Sequence, residues 1–186
     1  MFFDYTCGFS NRARHWLDAL DDVQVVWRPF SLLEQNRDGG GQPVFEQAEQ
    51  ADNVSLIALA VHLGVGADGG HVGQYRERMF DAWHEEPGRL STEDILGFGQ
   101  AAGLDGWDHD RAFAALGDQH AAAEQLGVFG TPTLVLDEEH TVFVKLGNVP
   151  TADRAWPLWE QVRQLALGAP DLREWHRVVP EPKDVR

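Results

Sequence analysis

The run Phe2-Phe3-Asp4-Tyr5-Thr6-Cys7-Gly8-Phe9-Ser10 constrains this chain more than any other stretch. An apolar strand over residues 1–5 stops at the only cysteine and passes at once into a helix. That junction sets the sulfur at the positive end of a helix dipole, where a thiolate is favoured over a thiol. Far downstream, Val128-Phe129-Gly130-Thr131-Pro132-Thr133 answers it, with a proline directly ahead of a β-branched run. A buried, inert role as a small hydrophobe is the alternative for Cys7. The polar neighbours Thr6 and Ser10 favour the reactive reading.

The elements follow from periodicity. Ala13, Trp16, Leu17 and Leu20 recur at helical spacing and predict a helix over Ser10 to Leu20. Residues 23–29 then read as a β-branched strand ended by Pro29. A strand, helix, strand unit of this length implies a right-handed crossover and parallel pairing. Gly39-Gly40-Gly41 marks a flexible connection. Helix after helix follows: Asn53 to Leu63, Gly70 to Trp83, a start at Ser91 with Leu90 and Ile95 as a staple, and a last one from an Asp108 cap to Leu126, closed by Gly127. Pro87-Gly88 breaks this run. Strand character returns at Thr133 to Leu136, turns through Asp137 to His140 and resumes at Thr141 to Leu146, a hairpin. A helix around Trp156 to Leu167 comes last, with Pro157 tolerable only near its first turn, before a charged, proline-rich tail from Pro170. The expectation is an α/β protein with residues 1–42 and 127–186 forming one domain and 43–126 an inserted all-helical subdomain.

Composition removes several classes of function. Fifteen basic against 30 acidic residues give a formal charge of −15, which repels nucleic acid and anionic membrane surfaces. One cysteine allows no internal disulfide, no leader-like segment precedes the first strand, and no apolar run approaches the ~20 residues of a membrane span. The expected compartment is the cytoplasm. The histidines fall at no metal-ligand spacing, and the acidic knot at 105–110 lacks the ligand order of a calcium loop, so no metal is expected.

The element order, Phe3-Asp4-Tyr5-Thr6-Cys7-Gly8-Phe9-Ser10, Trp27-Arg28-Pro29-Phe30-Ser31-Leu32 and Gly127-Val128-Phe129-Gly130-Thr131-Pro132-Thr133 together resemble the DsbA-like branch of the thioredoxin superfamily. Within it the chain looks most like the cytoplasmic bacterial members near mycothiol-linked reductases, kappa-class glutathione transferases and hydroxychromene-carboxylate isomerases. The resemblance implies a thioredoxin-like fold with a four-stranded mixed sheet. It also implies a cis proline at Pro132, opposite the cysteine, with Thr131 offering its backbone to a partner. The family motif is commonly Cys-Pro-x-Cys. Here Gly8 replaces the proline and Ser10 the resolving cysteine, so any redox cycle borrows a second thiol from solution.

On this reading Cys7 and Ser10 are the catalytic candidates, and Gly8, Phe9, Arg14, Thr131 and Pro132 the substrate-binding ones. The Ser10 hydroxyl either donates to the thiolate or satisfies backbone amides at the helix start. Arg12 and Arg14 add favourable charge, and Phe9, Trp83 and Trp107 are expected at the mouth of an apolar cleft. No tightly bound cofactor is expected. The implied co-substrate is a low-molecular-weight thiol of mycothiol or glutathione type, acting on a disulfide or a thiolated protein, and a homodimer is compatible with all of this. Three functions compete: monothiol thiol-disulfide exchange, a kappa-like transferase or isomerase without net redox change, and a binding module that kept the fold. Cys-Gly-Phe-Ser also occurs in cluster-holding monothiol glutaredoxins, but those are smaller and lack a helical insert.

Overall fold

Phe2 and Phe3 make the shortest of strands, because the chain turns away at Tyr5, and this brevity sets the shape of the sheet. A computed structural model of the protein describes residues 1–85, 89–169 and 171. The order is β1 (Phe2–Phe3), α1 (Gly8–Asp18), β2 (Arg28–Pro29), α2 (Leu32–Gln35), α3 (Val54–Ala67), α4 (Val72–Glu85), α5 (Thr92–Ala101), α6 (His109–Gln125), β3 (Thr133–Leu136), β4 (His140–Phe143) and α7 (Ala152–Gly168). The four strands are ordered β2-β1-β3-β4, with β1 parallel to β2 and antiparallel to β3, a mixed sheet as expected. The Pro87-Gly88 break and the tail, Pro170 and everything past Asp171, lie outside the described residues.

Several boundaries differ from the sequence reading: the first strand is Phe2–Phe3 and not residues 1–5, the second hairpin strand is His140–Phe143 and not Thr141 to Leu146, and α3 runs on past Leu63 to Ala67. The strand expected over 23–29 is reduced to Arg28–Pro29, since its partner β1 offers only two residues to pair with. The alternation is real: Val23, Val25 and Trp27 pack against the core while Val26 is 68% exposed. Pro29 does not end the strand but belongs to it. Arg28 and Phe30 donate to Met1 and Phe3, so the missing N–H of Pro29 faces the open side of an edge strand. The first helix opens at Gly8, two residues early. The last opens at Ala152, so that Pro157 sits past its first turn and withholds one backbone donor from the helix interior.

The local signals for the middle helices are met by geometry. Ser91 and Asp94 form a reciprocal capping box, and the Asp108 carboxylate accepts from the Arg111 N–H at 3.1 Å. Gly127 adopts φ 77° past the end of α6, with Gly127 N–H on Glu124 and Val128 N–H on Ala123, a paired C-terminal closure that favours glycine. Helix α3 is buried along Leu56 to Val61, as befits a helix surrounded by others. A β-carbon at Gly99 on α5 would stand 2.6 Å from Val61, so glycine lets these two helices touch. One apolar cluster runs from Phe3, Tyr5 and Trp16 through Leu56, Phe80 and Ile95 to Phe113 and Leu134, joining sheet and helices in a shared core.

Candidate functional site around Cys7 and Thr131

Cys7 is the N-cap residue of α1, in extended backbone, with no acidic side chain in the first helical turn. Its own N–H bonds the Asp4 carbonyl and its carbonyl receives the Asn11 N–H, which fixes the sulfur at the helix entrance. The residue is 9% exposed, flanked by exposed Thr6 and Gly8, and belongs to neither apolar cluster of the core. Sγ lies 3.4 Å from the Thr131 carbonyl oxygen, across 124 positions of sequence. The Thr131–Pro132 peptide bond is cis. Thr131 is 3% exposed and its hydroxyl has no hydrogen-bond partner among the described residues. Thr133 steadies the same loop by donating to the Gly130 carbonyl at 2.7 Å.

The turn before Cys7 is held by a carboxyl group that sequence reasoning left without a role. Asp4 is buried, and one oxygen accepts from both the N–H and the hydroxyl of Thr6 at 2.8 Å. Its other oxygen accepts from the Leu32 N–H at 2.8 Å, tying the β1–α1 turn to the start of α2. Desolvation raises the Asp4 carboxyl above its ordinary range, and these hydrogen bonds act in the opposite direction. Beside Leu32, the Ser31 N–H donates to buried His120, whose ring stacks on Phe30 at 4.2 Å. Burial holds the His120 imidazole below its usual value.

The expected binding residues divide. Ser10 is fully buried, and its hydroxyl accepts the Asp4 N–H at 3.5 Å, the backbone role and not a contact with Cys7. Arg14 turns away from the sulfur. It is 5% exposed, pairs with Asp81 of α4 at 2.6 Å, donates to Asn11 and lies over the Phe80 ring, so it braces the helices. Gly8 is exposed with open space about it, and Phe9 is half-buried. Phe9 does not meet Trp83 or Trp107, which pack separately against the core. Its companions are cationic: Arg12 lies 5.0 Å and the Lys145 ammonium 5.2 Å from its ring centre. Lys145 is also 5.0 Å from Phe143, which packs at a tilt against the exposed Phe129 and lies under Gly130. Neither Lys145 nor Phe143 carried any signal in the sequence beyond lying in a strand.

Among the described residues, no three His, Cys, Asp or Glu side chains gather as a metal site, and no helix is long and apolar enough to cross a membrane. No curated protein matches the chain significantly. Residues 1–154 do match a family, the DSBA-like thioredoxin domain, and this stretch contains Cys7, Pro132 and the whole four-stranded sheet. The mixed sheet, the helices packed on it and that match establish a thioredoxin-like fold, and the chain belongs to the DSBA-like thioredoxin-domain family, a family of thiol-disulfide oxidoreductase type.

Proposed function

We propose that the protein is a monothiol thiol-disulfide oxidoreductase whose working sulfur is Cys7. The observation that carries this is the 3.4 Å approach of Sγ to the Thr131 carbonyl, which brings the only cysteine and the loop before Pro132 to one place. Helix α1 presents its unpaired N–H groups there, favouring negative charge. In the reaction, the Cys7 thiolate attacks one sulfur of a disulfide R–S–S–R′, forming Cys7–S–S–R and releasing R′–S⁻. A low-molecular-weight thiol then attacks the R sulfur of this mixed disulfide, regenerating the Cys7 thiolate and leaving with R as a new disulfide. The reducing equivalent gained by R′–S⁻ comes from that external thiol, whose sulfur ends in the new disulfide; Cys7 returns unchanged, because the chain has no second cysteine to resolve the adduct. Asp4 and Ser10 are positioning residues in this scheme, holding the turn that carries Cys7. The setting we infer is the cytoplasm, where small thiols are abundant and internal disulfides rare.

Incubation with oxidised glutathione or mycothiol disulfide, followed by intact-mass analysis, tests the reading. One thiol should add to each chain, come off with the free thiol, and fail to add to Cys7→Ser. The same helix entrance suits a transferase that never changes redox state, in which a hydroxyl or thiol at position 7 holds the sulfur of a bound thiol. Conjugation of a thiol to an aromatic electrophile that survives Cys7→Ser, with no mixed disulfide in the native protein, would replace exchange by that chemistry.

A further inference from the structure

Two cations crowd one ring beside the reactive cysteine in a chain of formal charge −15. Arg12 and Lys145 each stand about 5 Å from the centre of Phe9, two residues after Cys7. They are therefore within about 10 Å of one another, roughly the screening length at 0.1 M salt, and repel. Neither pairs with a carboxylate among the described residues, whereas Arg14, Arg37 and Arg76 all do. Arg12 is held there by donating to the Leu146 carbonyl at 3.0 Å, next to Lys145 itself. Lys145 spans from Phe9 on α1 to Phe143 at the end of β4, and Phe143 underlies Gly130 beside Thr131. The pair thus borders both halves of the Cys7 site.

Resting on the redox reading above, we infer that Arg12 and Lys145, on the Phe9–Phe143 platform, form an anion subsite that selects a carboxylate-bearing small thiol as the partner of Cys7. An anion relieves the repulsion between the two cations, which the aromatic rings beneath them help to hold in place. Thiols of glutathione type carry such carboxylates; an uncharged, sugar-linked thiol of mycothiol type does not offer that handle.

The test compares oxidised glutathione with neutral bis(2-hydroxyethyl) disulfide as donors to Cys7, timed by intact mass. Lys145→Gln should slow the glutathione reaction about three- to fivefold, and Arg12→Gln with Lys145→Gln about tenfold, the sizes of exposed ion-pair effects. The neutral disulfide should react with all variants equally, Lys145→Arg should keep the wild-type rate, and 0.5 M salt should erase the difference. Equal slowing of both donors, or none, overturns the subsite while leaving Cys7 exchange intact. S-methylglutathione, which has no free thiol, separates the two readings further. If it binds with the same Lys145 dependence although neither disulfide adds to Cys7, the subsite stands and the redox reading falls. If it does not bind, and no donor discriminates, the subsite falls.

Discussion

Tyr5 and Cys7 are two residues apart and live in opposite environments. The Tyr5 ring is fully buried, meets Phe3, Phe80 and Tyr75 edge-on, and places its hydroxyl 2.9 Å from Nδ1 of His62. Nearby, Tyr75 donates to Ala58 and Trp16 to Ala155, each at 2.9 Å. Around Cys7 the contacts are sparser: the thiol reaches the Thr131 carbonyl at 3.4 Å, the Asp4 N–H reaches Ser10 only at 3.5 Å, and the Thr131 hydroxyl has no partner among the described residues. Buried polar groups are normally satisfied, and loosely satisfied ones concentrate where a ligand completes the set. The hydroxyls and indole of the aromatic core are thus paired within the chain, although His84 Nε2 beside Phe80 has no partner among the described residues, whereas at the Cys7 end it is the Thr131 hydroxyl next to the sulfur that is left open.

If that contrast is right, the core should dominate stability and the Cys7 end should dominate reactivity. The largest effect is expected from His62, whose imidazole burial pushes down to about 3, with Arg76 adding to the effect and a backbone contact at Trp27 opposing it. The unfolded chain takes up this proton below about 6.5 and the folded chain does not, so the stability it supplies is complete above that value. It is lost as the pH falls towards 3, at up to about 1.4 kcal/mol per pH unit. Denaturant titrations from pH 7 to 4 should show this slope together with those of the amino terminus, His84 and His120, which burial also lowers, and His62→Gln should remove the His62 share, which lies furthest towards acid. A wild-type profile flat across the window would mean that the core tolerates a charged imidazole, and the comparison would break.

Much of this division was legible in the sequence, and the remainder was not, for a physical reason. Ser91, Asp108 and Gly127 announce helix ends because their bonds reach only three or four residues along the chain. The Cys7 turn stood out for the same local reason, whereas Pro132 taken alone read as a proline beginning a strand and gained its role from the family resemblance. Arg14 and Asp81 are 67 residues apart, and Tyr5 and His62 are 57 apart, so no spacing rule links them. Arg14 therefore read as a charge near sulfur until α4 supplied its partner. Lys145 joined the site only because the order β1-β3-β4 brings the end of the hairpin beside α1.

Asp4 is where the two regions meet, and its replacement should give the next largest effect. Asp4→Asn turns an amide NH₂ towards an N–H donor, of Thr6 or of Leu32, and leaves one unsatisfied, a loss of about 1–3 kcal/mol. Because the folded carboxyl is raised above its ordinary value, its contribution is complete below the unfolded value and fades as pH rises through the folded one. The stability gap between wild type and Asp4→Asn should therefore be widest in acid and narrow towards neutrality. A gap independent of pH would show that the carboxyl titrates in the folded protein as it does in the unfolded chain.

Ser10 gives the smallest expected effect and the sharpest test of the comparison. Its hydroxyl occupies the position of a resolving thiol in the two-cysteine motif, so a direct hold on the Cys7 sulfur is the natural expectation from sequence. The structure gives it to the Asp4 N–H at a length where a hydrogen bond is weak, and its side chain is sealed from solvent. Ser10→Ala should accordingly destabilise the fold by less than about 1 kcal/mol. The rate of Cys7 alkylation by iodoacetamide should stay within about twofold of wild type, since no contact with the sulfur is removed. A tenfold drop in that rate at unchanged stability would show that the hydroxyl turns to the thiolate once it forms. The Cys7 end would then be completed by its own chain, as the hydroxyls of the aromatic core are, and the incoming thiol would have less left to supply.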